Sequence, residues 1–249
     1  MTQSIDTREN VEQRLGQDAS HPLKGARVLV TGGASGLGAA VVEALTAEGA
    51  LPIVLDRQPV EAPARGWVVD LSEREAAEAA IAQAAEEAGG IDAIVCAAGI
   101  DRCGELDEVP AEEWEKVIAV NLIGTAAVVR AALPHLLRSH GRVVTVASTL
   151  GLRGAGGATA YCASKFGVIG FTRALAAELK GRVGVTTLIP GGMDTAFFDD
   201  RPEQYKPHDR TNLNRPSDTA RSVIFALSQP RGCEVRELLV MGSMEDSWP

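Results

Sequence analysis

The sequence predicts an α/β fold: a doubly wound parallel sheet of about seven strands, with helices on both faces, in a single domain. Three observations carry that expectation. Short apolar runs alternate with helical patterns along the chain, and each run is apolar throughout, as strands buried on both faces require. A glycine-rich turn joins the first such run to the first helix. The chain has 249 residues, 45% of them hydrophobic, enough for one sizeable core.

The elements follow in order. Arg27–Val30 is an apolar strand, and Gly36–Glu48 has helical spacing that stops at Gly49. Pro52–Leu55 is a second strand ending in Asp56, and Trp67–Val69 a third ending in Asp70. Ser72 is the expected cap of an Ala/Glu-rich helix that runs to Gly89. Ile91–Ala97 is a fourth strand. A long helix spans Ala111–Arg138, with a bend expected near Pro134. Arg142–Ala147 is a fifth strand, Thr159–Lys180 a helix, Val183–Ile189 a sixth strand, Ser217–Ser228 a helix behind Pro216, and Val235–Val240 the last strand. Residues 1–22 read as a polar N-terminal extension, and 23–249 as the single domain. The one long irregular stretch, 191–215, is expected to be functional, because structureless loops of that length are uncommon in compact domains.

Charge and cysteine usage narrow the class. A formal net charge of −9 argues against a nucleic-acid partner. Cys96, Cys103, Cys162 and Cys233 form no CxxC pair, and no metal-ligand spacing is present, so no metal is expected and the thiols suit a reducing cytoplasm. No apolar run approaches the ~20 residues of a membrane span, and the polar N-terminus lacks a secretory core. Neither a membrane nor a secreted location is expected.

The turn Thr31-Gly32-Gly33-Ala34-Ser35-Gly36-Leu37-Gly38 lies between strand and helix. Backbone without Cβ can approach a pyrophosphate, and the helix N-terminus offers free N–H groups and partial positive charge. The expected fold is therefore Rossmann-like, with Gly32, Ser35, Gly36, Leu37 and Gly38 at the dinucleotide. Asp56, about twenty residues on, stands where a carboxylate accepts from the adenosine ribose hydroxyls. It favours NAD. Arg57 beside it keeps NADP open. Asp70 can accept from the adenine amino group or serve as a helix N-terminal acid. Ala97, Ala98 and Gly99 give the flat backbone on which a nicotinamide ribose can lie.

Tyr161 and Lys165 are four apart on one helix and share a face. A free tyrosine titrates near ~10 and is a poor base at neutrality. An ammonium ~4–5 Å away at an effective dielectric of ~20 is expected to lower it by about 2–3 units. Ser148 can hold a substrate oxygen beside the phenol.

These motifs together resemble the single-domain short-chain dehydrogenases/reductases. They are TGGASGLG at Thr31–Gly38, Asp70-Leu71, CAAG at Cys96–Gly99, VNLIGT at Val120–Thr125, Ser148, YCASK at Tyr161–Lys165 and PGGMDT at Pro190–Thr195. The resemblance covers the chain from about Lys24 onward. It implies a catalytic set of Asn121, Ser148, Tyr161 and Lys165. Tyr161 is the acid/base, and Lys165 binds the nicotinamide ribose while tuning the phenol. Asn121 kinks the long helix and holds a water of the proton relay. The resemblance also implies Leu71, Pro190, Gly191 and Thr195 at the cofactor, and an Asn where Cys96 stands.

The substrate pocket is expected from Thr149, Leu150, Gly192, Met193 and Phe197, near Ile100, Asp101, Ala155 and Phe198, with Asp199–Arg210 as the solvated outside of a lid. The expected reaction is hydride transfer between NAD and a small secondary alcohol or ketone. The alternative is an NADPH-dependent 3-oxoacyl thioester reductase, with Arg138 and Arg182 as a basic rim, and a non-catalytic dinucleotide sensor is the third reading. A sugar-nucleotide epimerase would need a larger C-terminal part. Apolar helices and the family's habit point to a homotetramer or homodimer.

Overall fold

The computed structural model describes residues 22–60 and 64–245. The extension expected over 1–22 lies outside them except for His21's neighbour Pro22. Seven parallel strands form one sheet in the order β3-β2-β1-β4-β5-β6-β7. They are β1 Arg27–Thr31, β2 Leu51–Asp56, β3 Arg65–Val68, β4 Ala93–Cys96, β5 Arg142–Val146, β6 Gly184–Pro190 and β7 Glu237–Val240. The helices are α1 Gly36–Ala47, α2 Arg74–Ala88, α3 Ala111–Ile118, α4 Thr125–Ser139, α5 Thr159–Glu178 and α6 Pro216–Leu227.

The alternation of strand side chains splits the core in two. Leu29, Leu55, Ile94, Val143 and Val185 pack with α2, α4 and the end of α5. Val28, Val30, Val95, Val144 and Leu188 pack with α1 and α6. Both faces are therefore covered, which is why the central strands read as apolar runs, whereas the edge strands β3 and β7 are mostly exposed or half-buried. The order of strands reverses between β1 and β4, and the crevice at their C-terminal ends is where open α/β sheets bind ligands.

Two local expectations are corrected. The helix expected behind a Ser72 cap begins at Arg74, with Glu73 at its N-cap and no side-chain capping bond. Ser72 is spent elsewhere: its N–H and hydroxyl donate to Asp70 Oδ1 at 2.9 and 2.7 Å. In the long helix the irregularity is a π-type segment at Ala119–Gly124, between α3 and α4, not at Pro134. The combined helix Ala111–Ser139 is also long and apolar enough to cross a membrane on length and composition, with half of its most apolar window buried inside this fold.

Candidate active site at the carboxyl ends of β1 and β4

Close packing dictates the glycine turn. Gly32 has φ +71, and a Cβ there would lie 2.7 Å from the Ala98 Cα. The ends of β1 and β4 touch at that point, and the Ala98 N–H donates to Thr31 Oγ1 at 3.2 Å. At Gly38 a Cβ would collide with the Gly32 carbonyl. Ser35 is the extended N-cap of α1, makes no capping bond, and is followed by no acid in the first turn. The first N–H groups of α1 thus face the crevice end of the sheet without a side-chain acceptor, the arrangement that binds anions.

Asp56 ends β2 beside this turn. Its Oδ2 accepts from the Ala34 N–H at 3.0 Å and its Oδ1 from the Gln58 N–H at 2.9 Å, so the carboxylate is oriented against the glycine turn with lone pairs to spare. Arg57 is exposed. Asp70 is held by Ser72, whose side-chain and backbone bonds keep its carboxyl below the usual carboxylate range. The turn-acid reading describes its local bonding. Leu71 is 7% exposed in the core, with its carbonyl packed against Gly124.

Asn121 sits in the π segment and is 1% exposed. Its Oδ1 accepts from the Ile100 N–H at 2.8 Å, while its Nδ2 donates to the Ile100 carbonyl at 2.9 Å and to Ser164 Oγ at 3.0 Å. The side chain pins the loop after β4 to α5. Gly99 lies where a Cβ would be 3.5 Å from both Asn121 Oδ1 and Lys165 Nζ. The sequence thus brings CAAG, VNLIGT and YCASK to one place.

Tyr161 and Lys165 share the inner face of α5. Lys165 is 4% exposed, its Nζ donates to the Val146 carbonyl at 2.8 Å, and it lies 5.5 Å from the centroid of the Tyr161 ring. Ser148 is close enough to the Tyr161 phenol to lower its pKa, and its Oγ accepts from the Leu150 N–H at 3.1 Å. The expected depression of the phenol is overturned. Part of the tyrosine faces solvent, yet burial pushes it up to about 12, and Ser148 offsets only some of that. Burial likewise lowers Lys165 to about 8. Desolvation is the largest cause of both shifts, and the charges of Arg201 at Tyr161 and Asp101 at Lys165 only partly oppose it. Cys96 behaves as a small apolar residue: it is 2% exposed, and burial raises its thiol to about 12.

The loop after β6 closes this end. The Gly191 N–H donates to the Val240 carbonyl, continuing the β6–β7 ladder past Pro190, and the Gly192 N–H donates to Glu245 Oε2 at 3.0 Å. Thr195 lies against Gly36, 3.5 Å from where its Cβ would stand, and its Oγ1 accepts from the Phe197 N–H. The Phe197 ring is 5.8 Å from that of Tyr161. Thr149 is 2% exposed beside Ser148. Leu150 is half-buried, but Ala155 is exposed. Met193 packs into the α1/α6 core and bridges Asn214.

Asp199–Arg210 is not simply a solvated outer face. Arg201 is 16% exposed and pairs at 2.6 Å with Asp101, which is 4% exposed. Its guanidinium lies 5.0 and 4.6 Å from the Phe197 and Phe198 centroids. Nothing in a run of alternating charges marks which arginine turns inward. Glu245 and Ser164 escaped the sequence reading for a similar reason, as ordinary polar residues at ordinary spacing. The proposed basic rim also fails. Arg138 and Arg182 precede β5 and β6, at the opposite end of the sheet, and bond to His135 Nδ1 and the Glu178 carbonyl.

Known proteins resemble this chain over most of its length. The family model described as short chain dehydrogenase matches residues 26–206. An uncharacterized oxidoreductase of Staphylococcus aureus (strain MRSA252) is 33% identical over 85% of this chain and 95% of its own length. The (2S)-[(R)-hydroxy(phenyl)methyl]succinyl-CoA dehydrogenase subunit BbsD of Thauera aromatica is 33% identical over 85% and 92%. Among solved structures, the ligand-free aldohexose dehydrogenase of Thermoplasma acidophilum superposes with a TM-score of 0.82 at 25% identity, covering 90% of this chain and 95% of that one. Levodione reductase gives 0.78 at 27%, covering 88% and 97%.

Proposed function

Since the chain belongs to the short-chain dehydrogenase family and is a nicotinamide-dependent oxidoreductase, we propose that it interconverts a secondary alcohol and its ketone, with NAD(H) as the preferred cofactor and Tyr161 as general acid/base. One observation carries the assignment: the Tyr161 side chain is flanked by buried Lys165 at 5.5 Å and covered by Phe197 at 5.8 Å, with Ser148 acting on its phenol.

The residues present fit a dinucleotide. Gly32 and Gly38 leave no room for a side chain, and the uncapped start of α1 suits a pyrophosphate. Gly36, Leu37 and Ser35 would line that end, and Asp56 would accept from ribose hydroxyls, which disfavours a phosphate there. Asp70 and Leu71 would meet the adenine side. Ala97, Ala98, Gly99, Lys165, Pro190, Gly191 and Thr195 would border the nicotinamide half. When bound, the nicotinamide supplies or accepts the hydride.

The chain's own work is positioning and proton transfer. Ser148 fixes the substrate oxygen against the phenol. A phenol with its pKa near 12 holds its proton, so it is ready to protonate the oxygen of a ketone. Alcohol oxidation needs the phenolate, and high pH favours it. The Arg201 guanidinium is the cation whose charge favours a phenolate formed at that ring. Asn121 fixes the loop on which Gly99 stands, and its backbone carbonyl in the π segment is the proposed end of a water relay. Thr149, Leu150, Gly192, Met193 and Phe197 are the proposed substrate surround. Phe197 has the most direct support, since its ring meets Tyr161.

A second reading, reduction of 3-oxoacyl thioesters with NADPH, is kept for one reason. The named substrate of the Thauera relative is a coenzyme A thioester. We further propose a homotetramer or homodimer, and a reducing cytoplasm in which all four cysteines stay free. The test is absorbance of reduced nicotinamide with NAD and NADP against secondary alcohols, hydroxysteroids and 3-hydroxyacyl thioesters. Turnover of simple alcohols with NAD supports the main reading. Turnover confined to thioesters with NADP favours the second, and cofactor binding without turnover of any substrate leaves a sensor.

A further inference from the structure

We propose that Asp101 and Arg201 form a second recognition point in the crevice, one that takes an uncharged hydroxyl of the substrate a few bonds from the reacting carbon. It rests on the reading of Tyr161 as the reacting centre. Nη2 of Arg201 donates to Asp101 Oδ2 at 2.6 Å, while its Nε is buried without a partner among the described residues. Nε and one Nη form one edge of the guanidinium fork, and Asp101 fills only one tooth of it. The open tooth is a donor that wants an oxygen.

The neighbouring carboxylate decides which oxygen. Asp101 Oδ1 accepts from the Arg102 N–H at 2.7 Å, and Oδ2 from Arg201 and from Cys103 Sγ at 3.2 Å, which leaves acceptor capacity on Oδ1. A hydroxyl can accept from Nε and donate to Asp101. A ketone oxygen satisfies only Nε, an alkyl group satisfies neither, and a carboxylate meets the Asp101 charge. The pair is also well placed. Asp101 follows Ile100, which Asn121 pins through both backbone groups, and the Arg201 guanidinium stacks on Phe197, whose other neighbour is Tyr161. Only one aromatic ring separates the second recognition point from the phenol. Favoured substrates are therefore diols, hydroxyketones and polyols.

The test compares kcat/KM for cyclohexanol, the isomeric cyclohexanediols and the hydroxycyclohexanecarboxylates. The wild type should prefer at least one diol to cyclohexanol by about tenfold or more, and to every hydroxy acid. Arg201→Lys keeps the charge beside Asp101 but lacks Nε. It should lose the diol preference, kcat/KM falling about tenfold further for the favoured diol than for cyclohexanol. Asp101→Asn should improve the hydroxy acids relative to the diols. Equal use of cyclohexanol and every diol by the wild type overturns the proposal, as does an equal fall for all substrates in Arg201→Lys at unchanged melting temperature. Absence of turnover with any probe counts against Tyr161 chemistry instead. Titration calorimetry with the same probes then decides the recognition point: tighter diol binding that Arg201→Lys abolishes supports it, and equal binding of diol and cyclohexanol overturns it.

Discussion

Lys165 lies 5.5 Å from the Tyr161 ring and donates to the Val146 carbonyl at 2.8 Å, so a buried ammonium is held at the site by a single backbone acceptor. Such a lysine costs the fold stability. Its pKa falls from 10.5 in the unfolded chain to about 8 in the fold. Between those values the unfolded state binds more protons, so stability should rise with pH from about 8 to 10.5 and be lowest below 8. The shift corresponds to a destabilisation on the order of 3 kcal/mol at neutrality. Lys165→Met should be inactive yet harder to unfold in urea at pH ~7, with the advantage shrinking at pH ~9.5. A variant less stable than wild type at neutrality would show that the Val146 bond outweighs desolvation.

The proposed preference for NAD turns on Asp56. Because its Oδ2 also accepts from the Ala34 N–H, Asp56→Ala should raise KM for both cofactors while cutting an NAD preference of at least ~10-fold toward parity. Steady-state kinetics with NAD and NADP check both effects. Equal use of the two cofactors by the unmodified chain would mean that Arg57 dominates.

The turn itself is intolerant. A Cβ at Gly38 collides with the Gly32 carbonyl, which is backbone and cannot swing aside. Gly38→Ala should remove dinucleotide binding by fluorescence titration and lower the melting temperature. Undiminished binding would place the cofactor elsewhere.

Phe197 should act on the substrate rather than on chemistry. Its ring meets Tyr161 and supports Arg201, so Phe197→Ala should raise KM several-fold more than it lowers kcat. A fall in kcat at constant KM would assign it a different role. Amide exchange across 193–212 checks closure of the same loop, because protection should increase on adding NAD with a product analogue.

Ile123 and Phe166, 53% and 47% exposed, leave apolar surface on the long helix and on α5. A homotetramer or dimer through these helices would cover it. Light scattering should give a multiple of 26.1 kDa, and Phe166→Glu should lower it. A monomeric mass for the unmodified chain at micromolar concentration would refute the assembly.

Much of this was legible in the sequence because the signals were local. A strand buried on both faces must be apolar throughout, so β1, β2, β4 and β5 could be read off Val28–Val30, Ile53–Leu55, Ile94–Val95 and Val143–Val144. The glycine turn is legible because Gly32 and Gly38 have no room for a side chain. What stayed hidden depends on tertiary competition. Ser72 has a good cap composition, but Asp70 captures both its donors. Arg201 looks like any surface arginine until Asp101 and two phenyl rings are brought to it. Spacing alone gave Tyr161 a lysine neighbour, but it could not say that burial would raise the phenol.

The most direct test of the central claim is the turnover of Tyr161→Phe, measured with its cofactor affinity on the same preparation. The change removes one hydroxyl and keeps the ring against Phe197. Turnover should fall by several orders of magnitude while NAD affinity stays within about threefold. A variant that keeps more than about a tenth of wild-type turnover would contradict the account, because the proton would then have to travel by another group.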